Sequence, residues 1–342
     1  MKSKTAGRVG IEDVAERAGV AISSVSRVLS GHKAVSESMR KRVEKAAEEL
    51  GYQPDHLAQS LRRGSTRTIG FMIRDIMNPF FSIIAQSCEI ELQKSHYSMI
   101  LVNSGGSETN ERNNLNLLKS RRVDGIICSL VSENTVDVKS NLKNFNAPVL
   151  LLDRELPDLK TSSLLCDHAS GVHDAVSHLI SEGHTRIAFI SGPRNIYVTR
   201  NRLEGYERAF KEAKLEIPTD LVKLKDFSEK FAKEETLKLF QLPDPPTAIL
   251  TGGIGPSGGA LYALKDLNKS VYTDIKFIAL DEWPFFDILS PNLMSVHRDP
   301  EIMGKYAAKL IKELIDGGAP KTIVIPTVFR NHESLTDQGF GK

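Results

Sequence analysis

The sequence predicts an all-α N-terminal module followed by a two-lobed α/β core with parallel sheets. Three observations carry this expectation. Apolar residues in the first sixty positions recur at helical spacing. From residue 68 onward, short apolar runs alternate with longer amphipathic segments. Charge is also uneven. Residues 1–67 hold thirteen lysines and arginines against eight acids, a balance of +5, which leaves −3 for the remainder of a chain whose net charge is +2.

The helical module reads in order. Ile11, Val14, Ala15 and Ala18 form one apolar stripe, stopped by Gly19. Val25, Val28 and Leu29 form a second, shorter stripe closed by Gly31. Ser36 is placed to cap a third helix, in which Val43, Ala46, Ala47 and Leu50 repeat the spacing before Gly51. Pro54 and Asp55 open a fourth short segment, "HLAQSLRRGS". In the core, the apolar runs are "TIGFMI" (68–73), "SMILV" (98–102), "GIICSL" (125–130), "PVLLLD" (148–153), "RIAFI" (186–190), "TAILT" (247–251) and "KFIAL" (276–280). Helix-like stretches lie between them, at 80–96, 108–121, 170–183, 200–214 and 257–268. Such alternation means βαβ units and parallel sheets. About 270 residues of it, with a "GP" turn at 192–193, make two doubly wound lobes. Ligands in such sheets sit beyond the carboxyl ends of strands. Asp75, Asp153-Arg154 and Asp281-Glu282 follow three of the runs. Each could be only a helix cap or a loop solvator; several on one rim point to a polar ligand.

Composition excludes other classes. The chain of 342 residues is 40% hydrophobic and 26% charged, ordinary for a globular protein. No run of 18 apolar residues spans a membrane, and the basic N-terminus lacks the apolar segment of a signal peptide. Cys88, Cys128 and Cys166 show no metal or disulfide spacing and read as core residues in a reducing compartment, the cytoplasm. No cofactor motif is present.

The stretch "GVAISSVSRVLSG" (19–31) carries the chemistry. A helix of this length needs packing to be stable, so Val25, Val28 and Leu29 must face the first and third helices. Ile22, Ser23, Ser24, Ser26 and Arg27 are then displaced from the buried stripe. Two helices joined by a glycine-containing turn, with hydroxyls and one guanidinium on the outer face of the second, make a helix-turn-helix. Hydroxyls bind phosphates or bases, and arginine reaches guanine O6 and N7 with two bonds. The competing reading is a helical bundle with a serine-rich surface.

"IEDVAERAGVAISSVSRVLSG" resembles the headpiece of the lactose/purine repressor (LacI/GalR) family of bacterial regulators. "RVEKAAEELGYQPDHLAQSLRRGSTRTIGFMI" resembles that family's third helix, hinge helix and first core strand. The resemblance continues through "NPFFSII" (78–84), "RRVDGII" (121–127), "EGHTRIAFISGP" (182–193), "RLEGYERAF" (202–210), "PTAIL" (246–250) and "LSPNLMSV" (289–296). It implies a homodimer whose two headpieces (residues 1–53) read near-palindromic operator DNA, hinge segments at 54–67, and a periplasmic-binding-protein-like core at 68–342. The core lobes would be 68–168 plus 295–328, and 169–294. Ile22, Ser23 and Arg27 fall on the family's base-reading positions. Leu61 falls on the leucine that wedges into the minor groove, with Ala58 one turn earlier. Phe80 and Phe81 match positions lining the effector cleft. Asp153, Arg202 and Asp281 match polar ligand contacts, and Phe227 an aromatic cover.

Two positions depart from the pattern. Gly253 and Ile254, within "TGGIGPSGG", stand where many sugar-sensing members carry an Asn-Asp pair. Ala21 stands where a serine or threonine usually caps the second helix. The effector expected from the first departure is a polar molecule with fewer gripped hydroxyls than a plain hexose, a modified or acidic sugar fitting best. The resulting function is a DNA-binding regulator, in effect a repressor, controlled by a sugar or sugar derivative. A solute-binding protein of a sugar transporter shares the core but calls for an export signal. An enzyme would need a nucleophile elbow, P-loop or dinucleotide motif, and none is found; "GGIGPSGG" lacks the phosphate-loop lysine and reads as a loop approaching a ligand or neighbouring helix.

Overall fold

A computed structural model describes residues 9–29, 35–52, 64–271, 273–281 and 293–331. The chain divides into two compact units, Met1–Thr66 and Arg67–Lys342.

The first unit holds α1 (Ile11–Ala18), α2 (Ile22–Leu29) and α3 (Glu37–Glu49). Gly19 adopts a left-handed φ of 66° and ends α1, its N–H turned back on Glu16. The Gly10 N–H donates to the Asp13 carboxylate at 2.8 Å. The Ser36 hydroxyl accepts from the Met39 N–H and caps α3. The core between the helices is Val14, Ala15, Ala18, Val25, Val28, Val43 and Ala46. Each of these comes from the apolar stripe of its helix, so packing rather than intrinsic propensity holds helices of eight residues. Arg17 and Glu49, 2.6 Å apart, tie α1 to α3.

The second unit is built on two six-stranded sheets. In chain order its elements are β1 (Thr68–Ile73), α4 (Pro79–Gln93), β2 (Ser98–Asn103), α5 (Glu108–Ser120), β3 (Gly125–Cys128), α6 (Val136–Lys143), β4 (Val149–Leu152), β5 (Ser162–Asp167) and α7 (His168–Ser181). They continue with β6 (Ile187–Ser191), α8 (Tyr197–Glu212), β7 (Val222–Leu224), α9 (Glu229–Leu239), β8 (Ala248–Thr251), α10 (Ile254–Asp266), β9 (Lys276–Leu280), β10 (Met294–His297), α11 (Pro300–Ile315), β11 (Thr322–Pro326) and β12 (Val328–Arg330). The first sheet runs β11-β5-β4-β3-β1-β2, the second β12-β10-β9-β8-β6-β7. All pairs are parallel except β12, an antiparallel edge strand on β10, which the expectation of parallel sheets did not include. In both sheets the strand order reverses beside the first strand, at β1/β3 and β6/β8. These are the switch points where a crevice opens at the carboxyl ends.

The inner strands are buried on both faces and read as continuous apolar runs for that reason. Ile69, Phe71 and Ile73 face a cluster with α4 and α11, while Met72, Ile126 and Cys128 face α5 and α6. The second sheet is sandwiched likewise between α7 with α8 and α9 with α10.

The chain crosses between the lobes three times. Two adjustments to the expected boundaries follow. Ser295 and Val296 pair with Ala279 and Leu280 of the second sheet, so the return to the first lobe falls after His297 and not before Ser295. The chain then leaves again at Pro326, and β12 completes the second sheet. In the stretch "GGIGPSGG", expected as a loop, the residues from Ile254 onward form the first turns of α10. Its glycines are packing devices. A Cβ on Gly255 would meet the Phe227 carbonyl oxygen at 2.2 Å, and one on Gly259 the Glu229 carbonyl oxygen at 2.1 Å. Their absence lets α10 lie close against α9 and the turn before it.

Candidate DNA-reading face and effector cleft

In the first unit, the burial of Val25 and Val28 sets the rotation of α2. The opposite face carries Ile22, 44% exposed, with exposed Ser23 and Arg27. Ser24 and Ser26 are half-buried at the edges of that face. The Ala21 carbonyl accepts the Ser24 and Val25 N–H groups at 2.8 and 3.1 Å, opening the helix without a side-chain cap. Ala58 and Leu61 lie outside the described residues.

In the second unit, a cleft of about 520 Å³ opens where the carboxyl ends of both sheets face each other. Most residues on it sit just past a strand: Arg74 and Asp75 after β1, Gly105 and Gly106 after β2, Asp153 after β4. From the second sheet come Asp226 and Phe227 after β7, Gly252 and Gly253 after β8, Asp281 after β9, and Arg298 after β10. Phe81 enters from the start of α4 and Val198 and Arg202 from α8. The structure therefore brings Asp75, Phe81, Asp153, Arg202, Phe227, Gly253 and Asp281 to one cavity.

Phe80 is elsewhere. It is buried outside the cleft lining, with the Arg298 guanidinium 3.4 Å above its ring centre. Adjacent residues on a helix point about 100° apart, so only one of the two phenylalanines can face the cavity.

The floor is an ion network centred on Arg298, which the sequence reading did not single out. Arg298 Nε donates to Asp281 Oδ1 at 2.5 Å and Nη1 to Asp153 Oδ2 at 2.5 Å. Asp153 belongs to the first lobe and Asp281 to the second, so one buried guanidinium ties the two rims. Burial opposes the charge on Asp281, but Arg298 and Arg202 outweigh it and hold the carboxyl below its ordinary range. Burial likewise opposes Asp153, and His168, Arg298 and Arg154 outweigh it. Arg202 is fully engaged as well. Its Nε faces His168 Nδ1 at 3.3 Å, Nη1 donates to the Gly252 carbonyl at 2.8 Å, and Nη2 meets Asp281 Oδ2 at 3.5 Å. Burial, then Arg202, pushes His168 down to about 4, so its ring is neutral near pH 7.

Asp153, Cys166 and His168 lie close enough to suggest a metal set. The surroundings do not fit a cation. Arg298 occupies one Asp153 oxygen, the Cys166 N–H the other at 3.0 Å, and Arg202 the His168 Nδ1. A metal there would face two guanidiniums and a thiol that burial keeps protonated.

A second tie joins the lobes beside the cleft. Glu133 Oε1 accepts the Tyr197 N–H at 2.9 Å, capping the start of α8 where no neighbouring side chain does, and Oε2 accepts Arg200 Nη1 at 2.8 Å. Arg74 stands at the mouth, its guanidinium 4.8 Å from the centre of the Phe227 ring.

Residues 10–55 match the family model described as bacterial regulatory proteins, lacI family, and residues 176–334 match that of a periplasmic binding protein-like domain. The ribose operon repressor of Escherichia coli K12 is 32% identical over 302 residues, covering 88% of this chain and 91% of that protein. The HTH-type transcriptional repressor PurR of Aliivibrio salmonicida is 30% identical over 305 residues, 89% and 92%. Among solved structures, the complex of the transcriptional regulator CelR with cellobiose superposes with a TM-score of 0.70 at 26% identity. That match covers 94% of this chain and 98% of the regulator.

Proposed function

The chain belongs to the lacI family of bacterial regulatory proteins, and from that premise we propose how its parts divide the work. It is a sequence-specific DNA-binding transcriptional regulator governed by a small polar molecule. Two copies of the headpiece read a near-palindromic operator through Ile22, Ser23 and Arg27, with Ser24 and Ser26 alongside and the segment around Ala58 and Leu61 as hinge. The effector, a sugar or sugar derivative, occupies the cleft beside Asp153, Arg202, Phe227 and Asp281. The regulator acts in the cytoplasm, where its operator is, and catalyses no reaction.

The observation that carries this reading is the face of α2: a side chain that can fork onto guanine, one hydroxyl and one aliphatic group, all solvent-facing on a helix whose other side is fully packed. A solute-binding role for a transporter gives that unit no task. The test is selection of binding sites from random duplexes by the full chain, followed by titration at fixed salt. A palindromic consensus bound at least about a thousandfold tighter than random duplex is expected; binding without sequence preference would overturn the reading.

A further inference from the structure

Resting on the reading of the cleft as an effector site, we propose that the effector is an anion. It is a sugar-sized molecule whose carboxylate or phosphate is held by Arg74 against Phe227 at the mouth of the cleft.

A neutral sugar binds mainly by giving its hydroxyl protons to carboxylates and taking bonds from cationic donors. Here each oxygen of the floor carboxylates already accepts one bond, about half of what a carboxylate can take. Asp153 receives Arg298 and the Cys166 N–H, and Asp281 receives Arg298 and Arg202. The carboxylates at the mouth each hold their own turn, Asp75 by the Met77 N–H at 3.0 Å and Asp226 by the Ser228 N–H at 2.7 Å.

Among the described charged residues of the lining, the one that is wholly unspent is a donor. Arg298 spends two of its five N–H bonds on carboxylates. Arg74 spends none: no hydrogen bond or ion pair from any described residue closes on its guanidinium. It lies partly buried at the rim, over the Phe227 ring. Burial lowers its pKa, and Asp226 and Asp75 oppose that only from a distance. Gly106 lies beside it, a Cβ there reaching only ordinary van der Waals contact with Arg74 Nε at 3.4 Å. A half-buried guanidinium with its whole fork unspent matches the two oxygens of a carboxylate or phosphate. Across the cleft, the first turn of α10 adds to this. Gly253, Ile254 and Gly255 line the cavity, and the partial positive charge of a helix start faces it.

Calorimetry on the full-length protein tests this with D-glucuronate, D-gluconate and ribose 5-phosphate against ribose, glucose and cellobiose. At least one acid should bind, with the neutral sugars weaker by about tenfold or more. The carboxylate and phosphate probes separate the two sources of the anion. Arg74→Gln should lower the affinity for that acid roughly 10- to 100-fold and Arg74→Lys by less, with ligand-free melting temperatures unchanged. Binding of a neutral sugar with no acid binding overturns the anion and leaves the effector cleft standing. An acid bound equally well by Arg74→Gln overturns the role of Arg74. If none of the six binds, the sugar-effector reading falls together with the proposal. Should Arg74→Gln not fold, Arg74→Lys and the acid-to-neutral ratio of the wild type decide.

Discussion

Replacing Arg298 by methionine removes the buried cation between the lobes while keeping a flexible apolar stem over Phe80. The structure sets the size of the effect. Asp281 Oδ1 and Asp153 Oδ2 each lose a 2.5 Å charged bond. What remains is a 3.5 Å approach of Arg202 to Asp281 and the Cys166 N–H on Asp153. Taking one member from a buried ion pair costs about 3–5 kcal/mol, because a charge is left without solvent or partner. For a unit of this size that lowers the melting temperature by on the order of 10 °C. The sign of the pH dependence follows from the carboxyls. In the wild type both are held below their ordinary range, so their contribution is present above about pH 4 and is lost on acidification below it. Without Arg298 less opposes their burial, so both carboxyls move up from their wild-type values. The variant is then penalised at neutral pH and relieved as protons bind. The gap between variant and wild type should narrow as pH falls from neutral. Urea unfolding followed by circular dichroism measures it. Adding Asp281→Asn should restore part of the loss. A gap under about 1 kcal/mol, or one independent of pH, would refute the ion network as a structural tie.

Three further outcomes are expected. Arg27→Ala should cost about 1–3 kcal/mol on the best operator and relax preference at one G·C pair; equal losses on operator and random DNA in a titration would mean that Arg27 touches only phosphate. Leu61→Ala should weaken specific DNA binding while leaving effector binding intact, and a central pyrimidine–purine step should be required; an operator with a stiff A-tract there that binds equally well counts against a wedge. Glu133→Gln keeps the shape but not the charge facing Tyr197 and Arg200. It should cost about 1–3 kcal/mol and speed hydrogen exchange at the Tyr197 amide, and unchanged exchange would exclude Glu133 as a tie between lobes.

The parts legible in the sequence share a physical cause. Asp153 and Asp281 end apolar runs, and a carboxylate at the carboxyl end of a buried parallel strand has nowhere to go but the crevice. Val25 and Val28 fix the rotation of α2, and the outward placement of Ile22 and Arg27 follows from 3.6 residues per turn. Arg298 escaped because β10 has four residues and its apolar run is broken by Ser295. His168 opens α7 directly after β5, whose serines at 162 and 163 mask a buried strand. β7, β11 and β12 sit at or next to sheet edges, are half exposed and carry weak patterns. Arg74 stands next to Asp75, yet nothing in the order of residues tells that the arginine of the pair has no hydrogen-bond or ion-pair partner among the described residues. The expectation of Arg202 as a polar ligand contact meets a side chain that lines the cleft but whose nitrogens already serve His168, Gly252 and Asp281.

The three crossings between the lobes also bear on how the protein is made. Residues 68–167 supply five strands of the first sheet, but the sixth, β11, and the helix α11 come from 300–326. Met303, Ala307, Leu310 and Ile311 of α11 lie in the same core as Ile69, Phe71 and Leu164. Until they emerge from the ribosome, that face of the sheet is covered by α4 alone. At roughly 5–20 residues per second, the wait between β5 and β11 is on the order of 10–30 s. During that interval the second lobe, continuous apart from its short edge strand, can already be complete. Synthesis thus runs against chain order, with the later lobe closing first and the earlier lobe held open and exposed to chaperones and proteases until the chain is nearly finished.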